Sequence, residues 1–100
     1  MLGFAMRAGR VIIGTDLVCT AMAKRGKDKP RLILIAEDAS EATKKKITVK
    51  SEFYSIKALK TSVPSDELAR LLGKTYSPMV IGITDDGFAG EIERALEAQS

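Results

Sequence analysis

Residues suited to catalysis are scarce in this sequence. Its 100 residues include no histidine and a single cysteine, Cys19, so neither a Ser-His-Asp nor a Cys-His relay can form within the chain. A zinc site would depend on one thiolate and carboxylates alone, so we expect no metal. The acidic pair Glu37-Asp38 follows a strand-like run, where α/β proteins bind ligands, but it lacks a third ligand or base, and helix capping explains it. Phosphate-loop and dinucleotide fingerprints are also missing, and we therefore predict neither an enzyme nor a cofactor.

The segment Gly14-Thr15-Asp16 is better suited to binding an anion. It precedes apolar residues at helical spacing, and the unpaired N–H groups and dipole of a helix N-terminus attract phosphate. The same residues also have a purely structural interpretation, in which Gly14 forms a turn and Thr15 or Asp16 caps the helix. Leu17 and Val18 are expected in the core rather than in contact with a ligand.

Basic residues are concentrated in the first part of the chain. Residues 1–60 contain 13 lysines and arginines against 6 acids, whereas residues 61–100 contain 3 against 7. A basic face is expected of a nucleic-acid binder, although proteins that bind no nucleic acid also have one. Two clusters dominate it, and each can also be interpreted as a solvated helix surface: Lys24, Arg25, Lys27 and Lys29, and then Lys44, Lys45 and Lys46.

The elements that must position these residues alternate between strands and helices. Apolar runs predict strands over residues 10–13, 31–36, 56–61 and 79–84, and helical periodicity predicts helices over residues 2–8, 15–25, 41–54, 66–72 and 86–98. Gly26 is expected to end the second helix, and Ser40 to cap the third. This alternation predicts an α/β fold, a three-layer α/β/α sandwich around a four-stranded mixed sheet, formed by one domain over residues 1–100.

Burial can be predicted within these elements. In the third helix we expect Ile47, Phe53 and Tyr54 to face the core, supported by Ala42 and Val49, while the lysines stay in solvent. The continuously apolar run 31–36 predicts a central strand buried on both faces. Apolar runs this short cannot span a bilayer, and the N-terminus lacks the features of a signal peptide. We therefore expect a complete, cytoplasmic chain with no membrane partner.

Four segments of the chain carry a family resemblance. They are LGFAMRAGR (residues 2–10) with Gly14, LIAEDAS (34–40) followed by TKKK (43–46), ELA (67–69) with LGK (72–74), and ITDDGFA (83–89). In this order and at this spacing they resemble the kink-turn-binding ribosomal protein superfamily, specifically its small bacterial YlxQ-like members. The resemblance covers nearly the whole chain. It implies an α/β/α sandwich that binds kink-turns, sharply bent RNA loops whose tandem sheared G·A pairs widen the major groove.

The resemblance implies a first RNA contact at the start of the second helix. The family's usual motif there is Gly-x-Asn-Glu-x-x-Lys, and this chain has GTDLVCT over residues 14–20. The carboxylate of Asp16 only accepts hydrogen bonds where an amide would also donate, and Leu17 makes no polar contact. Thr20 lacks the phosphate contact that a lysine would supply. YlxQ-like relatives share the acid and the leucine, so the resemblance implies the fold and leaves kink-turn affinity open.

The resemblance implies a second RNA contact in the loop over residues 73–78. Tyr76 would stack there on a splayed base, and Lys74 would reach a phosphate. The alternative is a plain surface loop whose tyrosine packs on its neighbours. The acidic residues that follow the second strand border the same surface in the family. The candidate RNA-binding residues are therefore Gly14, Thr15, Asp16, Leu17, Thr20, Lys24, Glu37, Asp38, Gly73, Lys74, Thr75 and Tyr76.

Together these patterns favour a non-catalytic, monomeric protein that binds structured RNA by shape and phosphate contacts, with ribosomal RNA and the ribosome among the candidate partners. An alternative is a protein-interaction module on the same fold, which the altered motif favours. An outward Leu17 beside Tyr76 would support that alternative, whereas a positive groove would support RNA. A third hypothesis is a substrate-binding domain related to those appended to RNA methyltransferases, but the chain has no methyl-donor site of its own.

Overall fold

The computed structural model describes residue 6, residues 8–24 and residues 26–99. Strands and helices alternate along these residues as predicted, and the predicted helix over residues 2–8 falls mostly outside them. The strands are β1 (Val11–Ile13), β2 (Leu32–Ile35), β3 (Lys57–Lys60) and β4 (Val80–Ile83). The α-helices are α1 (Thr15–Met22), α2 (Glu41–Phe53), α3 (Ser65–Leu72) and α4 (Asp86–Gln99), with a short 3-10 helix at Gly26–Asp28.

The four strands form one mixed sheet in the order β1-β4-β2-β3. β4 is antiparallel to both of its neighbours, and β2 is parallel to β3. Every residue of the two central strands β2 and β4 is buried. Helices cover both faces of the sheet, so every side chain of these strands is buried. For this reason both strands are apolar throughout and do not alternate with polar residues.

Helices pack on both faces of this sheet, which confirms the predicted three-layer α/β/α sandwich. Side chains of a strand alternate between the two faces, and β2 divides its four residues accordingly. The core on one face joins the sheet to α3 and α4 and includes Leu32, Leu34, Ile81, Ile83, Leu68, Leu72 and Ile92. The core on the other face joins it to α1 and α2 and includes Ile33, Ile35, Val80, Val18, Met22 and Ile47.

Helix α1 differs from its prediction at both ends. Its N-cap is Gly14, and no side-chain cap is formed, so the expected cap by Thr15 or Asp16 is wrong because both residues already lie in the first helical turn. The helix ends at Met22, not near residue 25, and Gly26 does not stop it. The backbone N–H groups of Ala23 and Lys24 each donate to the carbonyl three residues earlier, and this tighter 3-10 geometry closes the helix early.

Helix α2 begins as predicted, but its exposed face is more apolar than expected. Ser40 caps it, accepting a hydrogen bond from the Thr43 N–H at 3.2 Å, and Ile47 is fully buried. Phe53 is 79% exposed and Val49 is 58% exposed, so their expected place in the core is wrong. Val49 and Phe53 are four residues apart and so share one side of the helix, and Val49 follows Ile47 by two residues, which places it on the opposite side.

The remaining side chains of α2 follow from this orientation. Ala42 shares the exposed face with Val49 and Phe53, so its expected supporting role in the core is also wrong. Lys44 and Lys50, expected in solvent, are partly buried. The buried residues of α2 are Ile47 and Ser51, and the Ser51 hydroxyl donates to a backbone carbonyl of the same helix.

The last two helices match their predictions closely. α3 follows Pro64 and ends at Gly73, whose left-handed conformation closes the helix. α4 follows Asp85, whose carboxylate accepts a hydrogen bond from the Phe88 N–H at 3.0 Å. None of the helices that the structure describes is both long and apolar enough to cross a membrane.

Candidate nucleic-acid interface

Three segments that are distant in sequence meet at one edge of the sheet. The N–H of Gly14, at the start of α1, donates to the carbonyl of Val80 at 3.0 Å. The N–H of Ala36, at the end of β2, donates to the carbonyl of Met79 at 2.8 Å. The two RNA-contacting segments predicted from the sequence, the α1 start and the loop over residues 73–78, are thus joined through the start of β4, with the exit of β2 beside them.

The start of α1 has an open N-terminus on a backbone that requires glycine. Gly14 has φ 110° and ψ 144°, a conformation that residues with a Cβ rarely adopt. A Cβ placed there would meet nothing within 4 Å, so the conformation, not crowding, requires glycine. The N–H groups of Thr15, Asp16 and Leu17 have no side-chain cap. They are available to an anion, although the exposed Asp16 carboxylate opposes negative charge beside them.

Leu17 does not belong to the core. It is 63% exposed, whereas Val18 is fully buried as predicted. The buried residues of α1 are Val18, Cys19, Ala21 and Met22, and Leu17 lies one residue off this face, toward solvent. An outward Leu17 is one of the conditions that the protein-binding alternative requires.

Leu17 and Thr20 on α1 and Lys24 just beyond its end line the same groove, which brings three of the predicted site residues together. They line a groove of about 290 Å³ beside β1, together with Gly9, Ile12, Ala21, Asp28 and Thr84. Lys24 supplies a positive charge at its far end, and Asp28 supplies a negative one. Of the other basic residues near Lys24, Lys29 donates to the Tyr54 carbonyl at 3.2 Å, and the side chains of residues 25 and 27 lie outside those described.

The second predicted contact is an exposed loop whose two ends are anchored by backbone hydrogen bonds. At its start, Gly73 has φ 69°, and the N–H of Lys74 donates to the Ala69 carbonyl at 2.9 Å. At its end, Met79 is held by Ala36. Between these points Thr75 is exposed, Tyr76 is 55% exposed and Lys74 is partly buried. The loop therefore presents an exposed tyrosine ring next to a partly buried lysine.

Asp38 has a structural partner that the sequence did not reveal. Its carboxylate accepts hydrogen bonds from the hydroxyl and the backbone N–H of Ser65, at 2.6 and 2.7 Å. These bonds, the hydroxyl's first, hold the pKa of Asp38 below its ordinary value of 3.8. Asp38 thus caps α3 and ties it to the β2–α2 loop. Neighbouring Glu37 is exposed, and its N–H donates to the Val63 carbonyl at 2.9 Å.

Comparison with known proteins identifies the family of this chain. The sequence profile of the ribosomal protein L7Ae/L30e/S12e/Gadd45 family matches residues 1–93. The chain belongs to this family. Two relatives named RNA-binding protein YlxQ, from Enterococcus faecium and Bacillus subtilis (strain 168), are each 35% identical over 97 residues. These alignments cover 97% of this chain and 88% and 92% of the two relatives.

Two solved structures share the fold of this chain. A Bacillus halodurans protein described as having unknown function is 30% identical and superposes with a TM-score of 0.81, over 96% of this chain and 92% of that one. The Giardia lamblia 15.5kD RNA binding protein is 16% identical, with a TM-score of 0.73, over 99% of this chain and 83% of that one. The latter similarity supports the fold alone.

Two residues of this surface were missed by sequence reasoning. Met79, at the end of the second loop, is a large apolar side chain that remains partly exposed beside the junction with Ala36. Ser65 was assigned only to the start of α3, and its link to Asp38 depends on how the β2–α2 loop packs. Within the described residues, no group of three histidine, cysteine, aspartate or glutamate side chains is placed to hold a metal ion.

Proposed function

We propose that this member of the L7Ae family is a non-catalytic protein that binds structured RNA. The observation that carries the proposal is the junction of the α1 start with the 73–79 loop, through the hydrogen bond from Gly14 to Val80. It presents an uncapped helix N-terminus and an exposed tyrosine loop on one edge of the sheet. The names of the two YlxQ relatives support RNA as the ligand.

The proposed contacts divide into phosphate positioning and base stacking. The N–H groups and the Thr15 hydroxyl at the α1 start bind a phosphate, and Lys74 and Lys24 bind neighbouring phosphates. Tyr76 stacks on a base that is splayed out of the helix, as unpaired nucleotides commonly are in protein complexes. Gly73 and Thr75 keep the loop backbone close to the RNA, and Glu37 and Asp38 border the surface.

The preferred ligand is a kink-turn or a similarly bent RNA, with ribosomal RNA as the leading source and the cytoplasm as the setting. Bent RNA fits because it exposes a widened groove and an unstacked base, which a straight duplex does not. Asp16 and Leu17 offer few contacts to base edges. Recognition therefore depends on RNA shape and phosphate position rather than on sequence.

The test is a titration of a labelled kink-turn RNA and a matched straight duplex at low and high salt. We expect a preference for the kink-turn that persists at high salt, and we expect Tyr76→Ala to weaken it. Phe53→Ala is the matched control, because Phe53 is an exposed aromatic residue on a different surface. Weak, equal and strongly salt-dependent binding to both RNAs would refute the proposal, since it would leave only phosphate attraction.

The exposure of Leu17 favours a second candidate function, a protein-interaction module that uses the same edge. An apolar side chain projecting from the α1 start is an anchor for a protein surface and has no role toward phosphate. The variant Leu17→Ser separates the two functions. It should leave RNA affinity nearly unchanged under both functions, so the deciding readout is protein binding. Loss of a protein partner in this variant would favour the second function, whereas retention of every protein partner would count against it.

A further inference from the structure

The outward side of α2 forms a second surface, separate from the sheet edge. This α2 outer face consists of Ala42, Lys45, Lys46, Val49, Lys50 and Phe53. Ala42, Val49 and Phe53 repeat at spacings of seven and four residues and so form one stripe along the helix. With a rise of 1.5 Å per residue, this stripe is about 16 Å long, or roughly three helical turns.

The stripe exposes large apolar side chains to solvent, which is unusual for the outer side of a surface helix. Phe53 and Val49 are among the most exposed large apolar side chains of the described residues. The Phe53 ring contacts Tyr54 edge to face, with 4.9 Å between the ring centroids, so it is oriented by a neighbour. Contiguous apolar exposure rimmed by charged residues is typical of an interaction surface.

The charges around this stripe are mostly positive. Lys45 lies on one flank and Lys46 and Lys50 on the other, and none of these three has an acidic partner among the described residues. Lys44 differs, because it pairs with Glu41 at 3.6 Å. The acidic residues Glu41 and Glu52 both adjoin the Lys45 flank, and Glu41 pairs with Lys44. The three remaining lysines favour an anionic occupant, and they disfavour a second copy of this chain, whose lysines would repel them.

We propose that the α2 outer face binds an amphipathic helix of a protein partner, with apolar residues along one side and acidic residues flanking them. A partner helix of about three turns matches the length of the stripe, and its carboxylates would face the flanking lysines. The apolar stripe itself is aliphatic apart from Phe53. It therefore suits leucine-like side chains better than nucleobases, which need successive aromatic faces to stack on.

This surface is independent of the proposed RNA function. Gly14 and Tyr76 belong to the sheet edge, whereas Phe53 lies at the end of α2 farthest from that edge, because α2 starts there, after Ser40. A partner helix on α2 would leave the RNA surface accessible. The same protein could therefore hold RNA and a protein partner together.

The test uses the full chain and a synthetic helical peptide with leucines on one face and glutamates on its flanks. Binding is followed by nuclear magnetic resonance titration, with a scrambled peptide of the same composition and a lysine-for-glutamate peptide as controls. We expect shifts confined to α2 for the acidic amphipathic peptide alone. Phe53→Ser should weaken its binding about tenfold, the double change Lys45→Glu with Lys46→Glu should weaken it at low salt and reverse the sign of its salt dependence, and Leu17→Ser should have no effect.

Several results would overturn this proposal without affecting the RNA function. They are failure of the acidic peptide to bind, equal binding by the scrambled peptide, or unchanged binding by Phe53→Ser. Tighter binding of the α2 outer face to phosphatidylglycerol vesicles or to polyuridine than to the peptide would also overturn it, in favour of a membrane or RNA surface. Circular dichroism of each variant confirms that a loss of binding does not reflect a loss of fold.

Discussion

The N–H of Gly14 donates to the carbonyl of Val80 at 3.0 Å, at the point where β1 passes into α1. Val80 is also the first residue of β4, so this single hydrogen bond joins the helix start to the loop that precedes β4. Because Gly14 has φ 110°, the chain turns sharply enough for α1 to pack on the sheet while its N-terminus stays open. The geometry of the proposed RNA surface therefore depends on one backbone conformation.

Replacing Gly14 with alanine should destabilise the fold and weaken RNA binding together. The alanine Cβ has room, but the backbone conformation is strained for any residue other than glycine, at a cost of about 1–3 kcal/mol. Urea unfolding measures this loss. The matched control is Gly90→Ala in α4, where the added Cβ also meets nothing within 4 Å and φ is not positive. That change should stabilise the protein by about 0.5–1 kcal/mol, so a stability loss of similar size in both variants would contradict this account.

The link between Asp38 and Ser65 should make stability depend on pH in acid. The pKa of Asp38 is lowered in the folded state, so the ionised carboxylate stabilises the fold above the ordinary pKa of 3.8. This contribution is lost as the pH falls through the lowered folded-state value. Asp38→Asn should therefore be less stable than the unaltered chain at neutral pH, and the difference should shrink in acid, where both side chains are uncharged.

The variant Ser65→Ala tests the same link from the other partner. Removing the buried hydroxyl should cost about 1 kcal/mol at neutral pH, and the acid dependence should weaken because the pKa of Asp38 returns toward its ordinary value. Unfolding measured from neutral pH to below 3.8 checks both variants. An unchanged pH dependence in Ser65→Ala would show that this hydroxyl does not lower the pKa of Asp38.

Much of the fold could be predicted from the sequence because its signals are local. Ser40 caps α2 and Gly73 ends α3 as their residue types indicate, and the apolar run around β2 correctly predicts a buried central strand. The family resemblance, carried by four short segments, was confirmed by the match over residues 1–93. Each of these inferences needs only neighbouring residues or their order.

The inferences that failed depend on packing between distant elements. Helical spacing fixes which residues share a face, but it does not say how that face is rotated toward the sheet. A small rotation places Leu17 in solvent and Val18 in the core. The apolar stripe through Phe53 was assigned to the core for the same reason. Likewise, Asp38 finds its partner Ser65 27 residues later, and local patterns cannot predict a contact at that separation.

Truncating a buried and an exposed apolar side chain of α1 should give contrasting results. Met22 is fully buried, so Met22→Ala should cost about 2–5 kcal/mol through lost burial and the cavity it leaves. Leu17 is mostly exposed, and Leu17→Ala should change stability by less than about 0.5 kcal/mol. Denaturant unfolding of the two variants compares them directly. A large loss in Leu17→Ala would mean that this side chain is buried against the chain after all.

The second loop should contribute to RNA binding through two separable terms. If Lys74 binds a phosphate, Lys74→Ala should weaken binding and reduce the slope of log affinity against log salt by about 1, because one fewer counterion is released. Tyr76→Ala should instead lower affinity by about 1–3 kcal/mol with the slope unchanged, since stacking releases no counterion.

Lys45→Ala, on the α2 outer face, is the control and should alter neither quantity. A slope that falls equally in Lys74→Ala and Lys45→Ala would mean that the RNA senses only the overall charge of the protein, and the loop would then have no specific role.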